Sequence, residues 1–236
     1  NRWLIQNVDI SLCGMGIVLV GDYNTVQKCN LTNFKNLKST PNTGGNSAYE
    51  DYGANPFTIL DGNYNTIKNN YVSGGWAESL DFGFNGGFCE MFGSCSNNSF
   101  MYNTIIDCNG LSEFGANGAT ANSVNNLYAY NKLIDNGAMF YCNISGPFAC
   151  QVGNVMFYNN TVIETNNSRF AQGSANAGAG VTSPEAISHI NLDSYMFLYN
   201  GTPTASTVYA LKNNIFNVSN PLKICRSEER RVGKEC

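Results

Sequence analysis

The chain has 236 residues, a net charge of −4, 13% charged residues and a single histidine. That acidic balance excludes a basic nucleic-acid surface, and one histidine, His189, leaves little for a Ser-His-Asp triad or a His-rich zinc site. No run of eighteen apolar residues is present, so no helical membrane span is expected in this window.

In chain order, Asn1 runs straight into a strand, Trp3-Leu4-Ile5, without an initiator Met, and this end reads as cut. Short β-branched strands then recur, each entered through an Asn. The clearest copies are Tyr102-Asn103-Thr104-Ile105-Ile106-Asp107, Tyr130-Asn131-Lys132-Leu133-Ile134-Asp135 and Tyr158-Asn159-Asn160-Thr161-Val162-Ile163-Glu164. Looser copies surround Asn7, Asn30, Asn70 and Asn214. With Asn7, Asn30, Asn70, Asn103, Asn131, Asn160 and Asn214 as register marks, the steps are 23, 40, 33, 28, 29 and 54 residues. A strand restarting at such intervals marks a coil that stacks on itself. The longer steps require insertions or a further turn.

A second strand family precedes the Asn strands: Ile17–Gly21, Phe57–Gly62, Phe88–Gly93, Leu111–Gly115, Ala138–Cys142 and Arg169–Gly173. Glycine after most of these strands releases the chain into a turn. The corners Gly21–Val26 and Asp61–Ile67 repeat as well, and stacked turn asparagines can bond from coil to coil. The Asn wealth is therefore structural, and it makes the N-x-S/T sequons uninformative. Insertions are read at Lys38–Asn55, Gly74–Gly87 and Asn166–Ser206, the last with a short helix near Glu185–Ser194.

The last eleven residues, Arg226 to Cys236, resemble the in-frame translation of a sequencing adapter and are excluded from fold reasoning. Without them Lys plus Arg falls from 13 to 9 and Asp plus Glu from 17 to 14, for a net charge of −5. Eight cysteines remain, which suits an oxidising compartment or a stack of buried thiols. Cys142 and Cys150 bracket a turn-rich loop and are the pair most readily joined.

Over residues 1–225 the chain resembles the right-handed parallel β-helix superfamily, the pectate-lyase-like fold. More narrowly, Asp51-Tyr52-Gly53-Ala54, Asp81-Phe82-Gly83 through Glu90, and Gly110-Leu111-Ser112-Glu113-Phe114-Gly115 resemble a pattern of secreted bacterial β-helix proteins. The expected fold is all-β: one right-handed parallel β-helix domain of about seven coils, truncated at both ends. The resemblance implies an extracellular or cell-surface protein, with a polysaccharide or surface glycan as partner, and a monomer is expected. It does not fix the activity, because this fold hosts lyases, hydrolases, epimerases and adhesins.

The chemistry is sharpest at Glu90 and Glu113, 23 residues and one plausible coil apart. Alternation puts Cys89, Met91, Ser112 and Phe114 on one face of the strands and both Glu on the other. A Glu aimed into the core would be costly, so the pair should face outward. Stacked strands lie about 4.8 Å apart. Two carboxylates at that distance repel by about 1 kcal/mol in water, or about 3.5 kcal/mol at an effective dielectric of 20. That separates their pKa values by roughly half a unit to 2.5 units, giving one proton donor and one base for glycoside hydrolysis.

Asp81 is a third candidate catalytic carboxylate. Trp76, Glu78, Tyr141 and Arg169 are candidate substrate contacts, with Trp76 either stacking on sugar or anchoring its own loop. No cofactor is required, although Asp81, Glu90 and Glu113 form an oxygen-rich set suited to calcium. The leading expectation is a polysaccharide hydrolase. The alternatives are a polysaccharide lyase, with or without calcium, and a non-catalytic adhesin. Elimination on a polyuronate needs cations to neutralise the substrate, and the nine native Lys and Arg do not gather in one strand family.

Overall fold

Runs such as Thr66-Ile67-Lys68 and Thr104-Ile105-Ile106 carry one core residue between two outward ones, which is enough for a three-residue strand and no more. The computed structural model describes residues 2–38, 51–79, 83–118, 120–144, 146, 148–165, 195–200, 208–218 and 223–227. Of these, 36–38, 51–52, 78–79, 83–84, 195–200 and 223–227 are described by their backbone.

The chain makes seven passes, each visiting sheets A, B and C in that order. The first pass lays down β1 (Leu4–Gln6), β2 (Asp9–Ser11) and β3 (Met15–Val20). The second has β4 (Thr25–Gln27) and β5 (Asn30–Thr32), then an inserted hairpin, β6 (Asn36–Lys38) with β7 (Asp51–Gly53), before β8 (Asn55–Leu60). The third follows suit with β9 (Thr66–Lys68), β10 (Tyr71–Ser73), the hairpin β11 (Ala77–Ser79) with β12 (Gly83–Asn85), and β13 (Cys89–Phe92). The fourth is β14 (Ser99–Met101), β15 (Thr104–Ile106) and β16 (Gly110–Gly115).

An extra strand, β17 (Asn122–Val124), opens the fifth pass, before β18 (Leu127–Ala129), β19 (Lys132–Ile134) and β20 (Ala138–Asn143). It pairs with β21 (Gln151–Gly153) of the sixth pass, which continues through β22 (Val155–Tyr158), β23 (Thr161–Glu164) and β24 (Tyr195–Asn200). The seventh is β25 (Tyr209–Lys212), β26 (Ile215–Val218) and β27 (Lys223–Ser227), which runs two residues past Cys225. Sheets A, B and C each hold seven strands, and successive strands within them are parallel. All described secondary structure is strand.

The corners explain the asparagines. Each crossing from sheet A to sheet B takes two residues, and the first is left-handed: Asn7, Lys28, Asn69, Tyr102, Tyr130, Asn159 and Asn213 have φ between 55° and 58°. The second carries the ladder. Cys29 N donates to Asn70 Oδ1, and Asn70, Asn103, Asn131, Asn160 and Asn214 continue it with main-chain bonds of 2.9–3.0 Å. A parallel ladder runs through Asn24, Asn65, Asn98 and Asn126 ahead of sheet A. These amides satisfy buried main-chain groups that the bends would otherwise leave orphaned.

Several expectations are corrected here. Asn7 and Asn30 are not ladder residues: Asn7 is the left-handed bend, and Cys29 holds the ladder place of the second pass. The sheet A strands form a third family that the sequence shows only as corners. The sixth strand of sheet C is Tyr195–Asn200, not Arg169–Gly173; like β3 and β13, it ends one residue before a glycine. Cys142 and Cys150 are not joined. All seven described cysteines are free thiols, six of them buried, and Cys142 Sγ accepts from Tyr209 Oη at 3.2 Å. His189 and the helix expected at Glu185–Ser194 lie outside the described residues.

An aromatic column fills the interior. Phe57, Phe88, Phe100, Tyr128, Phe140 and Phe157 follow one another at centroid distances of 4.5–5.9 Å, mostly edge to face. The Tyr128 hydroxyl is satisfied by Ser112 Oγ at 2.7 Å. This core fixes which side of sheet C faces inward.

Candidate functional site

Inward residues of sheet C (Ile17, Phe57, Cys89, Met91, Ser112, Phe114, Phe140) are buried, so their neighbours form the outer row. Across β3, β8, β13, β16 and β20 that row reads Val18, Thr58, Glu90, Glu113, Tyr141. Glu90 and Glu113 are direct register partners. Glu90 is half-buried, while solvent reaches Glu113. The place beyond Tyr141 belongs to Leu198, which displaces the expectation for Arg169; Arg169 itself lies outside the described residues.

Two asparagines hold the carboxylates. Asn55 Nδ2 donates to Glu90 Oε2 at 2.8 Å, and Asn143 Nδ2 donates to Glu113 Oε1 at 3.1 Å. Asn55 lies three residues before Thr58, the partner of Glu90, and Asn143 two residues after Tyr141, the partner of Glu113. The tethers therefore draw the two groups toward opposite ends of the strands. Neither asparagine stood out in the sequence. Writing out the strand register around each Glu is the step that finds them.

Burial raises the Glu90 pKa, opposed by the Asn55 hydrogen bond. Glu113 is raised to about 7, first by the protein massed around its carboxyl, then by the charge of Glu90, against the Asn143 bond. The order makes physical sense: Glu90 ionises first, and its charge then disfavours ionisation of its neighbour. No cation is paired with either carboxylate among the described residues.

The inserted hairpins β6–β7 and β11–β12 enter sheet C at the Asn55 end of these strands. Trp76 is half-buried, and its Nε1 donates to Asp107 Oδ2 at 3.1 Å, which ties the indole to the corner between β15 and β16. The Glu78 backbone pairs with Phe84 across the second hairpin. Asp81 lies outside the described residues. Among the described residues no three His, Cys, Asp or Glu side chains converge as metal ligands, and Asp81 was to be the third calcium ligand.

At the other end of the strands the Phe92 and Phe148 rings meet at 6.4 Å. Beside them Asp61, Phe92, Gly93, Ser94, Asn117 and Gly118 line an open cleft of about 280 Å³, with Asp61 Oδ1 accepting from Ser94 N at 2.8 Å. The arrangement offers one protonated and one ionised carboxyl near neutral pH, flanked by amides and aromatic rings. That set can donate and accept protons at a neutral ligand. No family model, curated protein or solved structure matches the chain.

Proposed function

We propose that the chain is a right-handed parallel β-helix that hydrolyses a neutral polysaccharide outside the cell. The right-handed preference of crossovers between parallel strands supports the handedness. The carrying observation is the in-register pair Glu90–Glu113, each held by its own asparagine and by no cation among the described residues. Glu113, protonated up to about pH 7, gives its proton to the leaving glycosidic oxygen. Glu90, ionised earlier, serves as the carboxylate base. A polyuronate substrate would bring more negative charge to an uncompensated acidic wall, which favours hydrolysis over elimination.

The test is a glycan panel screened with and without calcium, for both the native protein and Glu113→Gln. Release of reducing ends that falls roughly 100-fold or more in the variant, with glycan binding retained, is expected for the acid. New absorbance from unsaturated products that depends on calcium would make the protein a lyase. Equal binding by both forms without turnover would make it a glycan-binding surface.

A further inference from the structure

Two residues beyond Glu90 along β13 lies Phe92, and two beyond Glu113 along β16 lies Gly115, its register partner. Both have the outward parity of the carboxylates, so the same wall continues about 6.6 Å toward the open cleft beside Asp61. A Cβ on Gly115 would lie 3.5 Å from the Phe92 ring and 3.5 Å from Asn143 Nδ2. The amide that grips Glu113 and the aromatic wall of the cleft therefore flank one glycine.

The lining of the cleft restricts what it can take. Asp61 is exposed but fixed: its nitrogen donates to Phe92 O at 3.0 Å, and its Oδ1 accepts from Ser94 N. The carboxyl lies so close over Gly93 that a Cβ there would overlap Oδ1. Its Oδ2 has no partner among the described residues and is left to the donors of a ligand. Phe148 stands at the rim, 51% exposed, with its carbonyl accepting from Ala116 N at 2.9 Å. No Lys or Arg lines the cleft, which disfavours an anion, and a single carboxylate is too small a ligand set for a metal. An acceptor-only carboxylate beside an exposed ring suits a ligand with hydroxyl donors on one side and C–H groups on another. The volume of about 280 Å³ falls just below that of sites for drug-sized molecules, which leaves room for about one sugar ring.

We propose that the cleft binds one neutral sugar unit of the glycan, next to the bond held between Glu90 and Glu113. Asp61 Oδ2 accepts a charge-assisted hydrogen bond from a sugar hydroxyl, and the Phe148 ring packs on the C–H face. The inference rests on the hydrolase reading for where that unit sits in the reaction, but not for the binding itself.

Amide NMR of the Glu113→Gln protein, titrated with hexasaccharides of glucose, xylose, mannose and N-acetylglucosamine, reads the cleft without turnover. At least one of these probes should shift the Ser94 and Gly118 amides saturably. Asp61→Asn keeps the acceptor for Ser94 N, and Phe148→Ala trims an exposed ring, so both should keep the native spectrum away from the cleft. Each should weaken that binding about 10-fold or more. No saturable shift at these amides with any probe overturns the inference, and so does native affinity in either variant. The hydrolase reading is judged apart, on the native protein. Saturable shifts without release of reducing ends sink it and keep the cleft, whereas release with Ser94 and Gly118 unmoved does the reverse.

Discussion

Asn160 Oδ1 receives two hydrogen bonds from Asn131, one from its main-chain nitrogen at 2.9 Å and one from its side-chain amide at 3.0 Å. Asn131 in turn accepts the same pair from Asn103, and its amide also donates to Phe100 O. Asn131→Ala leaves the buried main-chain nitrogen of Asn103 without its acceptor and removes the amide bond to the carbonyl of Phe100. Unfolding in urea should show a loss of about 2–4 kcal/mol. Asn30→Ala, at an exposed position off the ladder, should stay within about 0.5 kcal/mol of the native protein.

Glycine 137 is needed for space rather than for a turn. A Cβ at Gly137 would overlap the carbonyl oxygen of Asn109, on the neighbouring pass. Backbone cannot yield there without pulling β16 from β20. Gly137→Ala should cost about 3 kcal/mol or more in the same unfolding assay. Gly146→Ala is the comparison: its Cβ would meet open space, so only its positive φ of 84° opposes the change.

The interior thiols should be inert. Burial pushes Cys95 up to about 11 and Cys108 and Cys150 up to about 12, and it raises Cys89 and Cys142 as well. Thiolate is therefore scarce at pH 8, and access is closed. Alkylation followed by mass spectrometry should label Cys95, Cys108, Cys142 and Cys150 only after unfolding. A non-reducing digest should contain no Cys142–Cys150 peptide.

The acidic pair also predicts how stability changes with pH. Both folded-state carboxyls titrate above their ordinary value of 4.5, so the folded protein binds more protons than the unfolded chain between that value and about pH 7. Their contribution is present in full below pH 4.5 and is lost as pH rises through about 7. Glu113→Gln cannot lose it. The gap between variant and native urea midpoints should widen in favour of the variant from pH 4.5 to 7 and then level off. Glu90→Gln removes the neighbouring charge, so the Glu113 pKa should fall.

Much of this framework is legible in the residues. The Asn-entered strands of sheet B, most strands of sheet C and the places of the insertions, though not their hairpin form, follow from periodicity and turn chemistry. So does the shared face of Glu90 and Glu113, because alternation has a strict period of two. Sheet A is harder to see: strands such as β4 and β9 have three residues with one inward, Val26 or Ile67, and three residues are too few to display alternation. Cys29 hides in the ladder because its backbone, not its side chain, makes the bond. Tyr195–Asn200 sits inside a stretch whose Gly, Ala and Ser content reads as loop. The grip of Asn55 and Asn143 depends on which strands become neighbours, and local sequence carries no such information.

The two-residue crossing from sheet A to sheet B has a further consequence. It keeps its length in all seven passes, whereas the crossing from sheet B to sheet C ranges from three residues, 107–109, to the 30 of 165–194. The continuous amide rails run along the other two edges; beside the edge from sheet B to sheet C, a short segment among the described residues, Cys108 to Asn136, is bonded this way. The crossing from sheet C to sheet A also varies, from four residues at 21–24 to 11 at 116–126 and 144–154, so the chain lengthens at both margins of the wall that bears Glu90 and Glu113 and not at the two-residue corner. New ligand preferences can evolve there by splicing in loops, while the spine that keeps the stack aligned is left untouched.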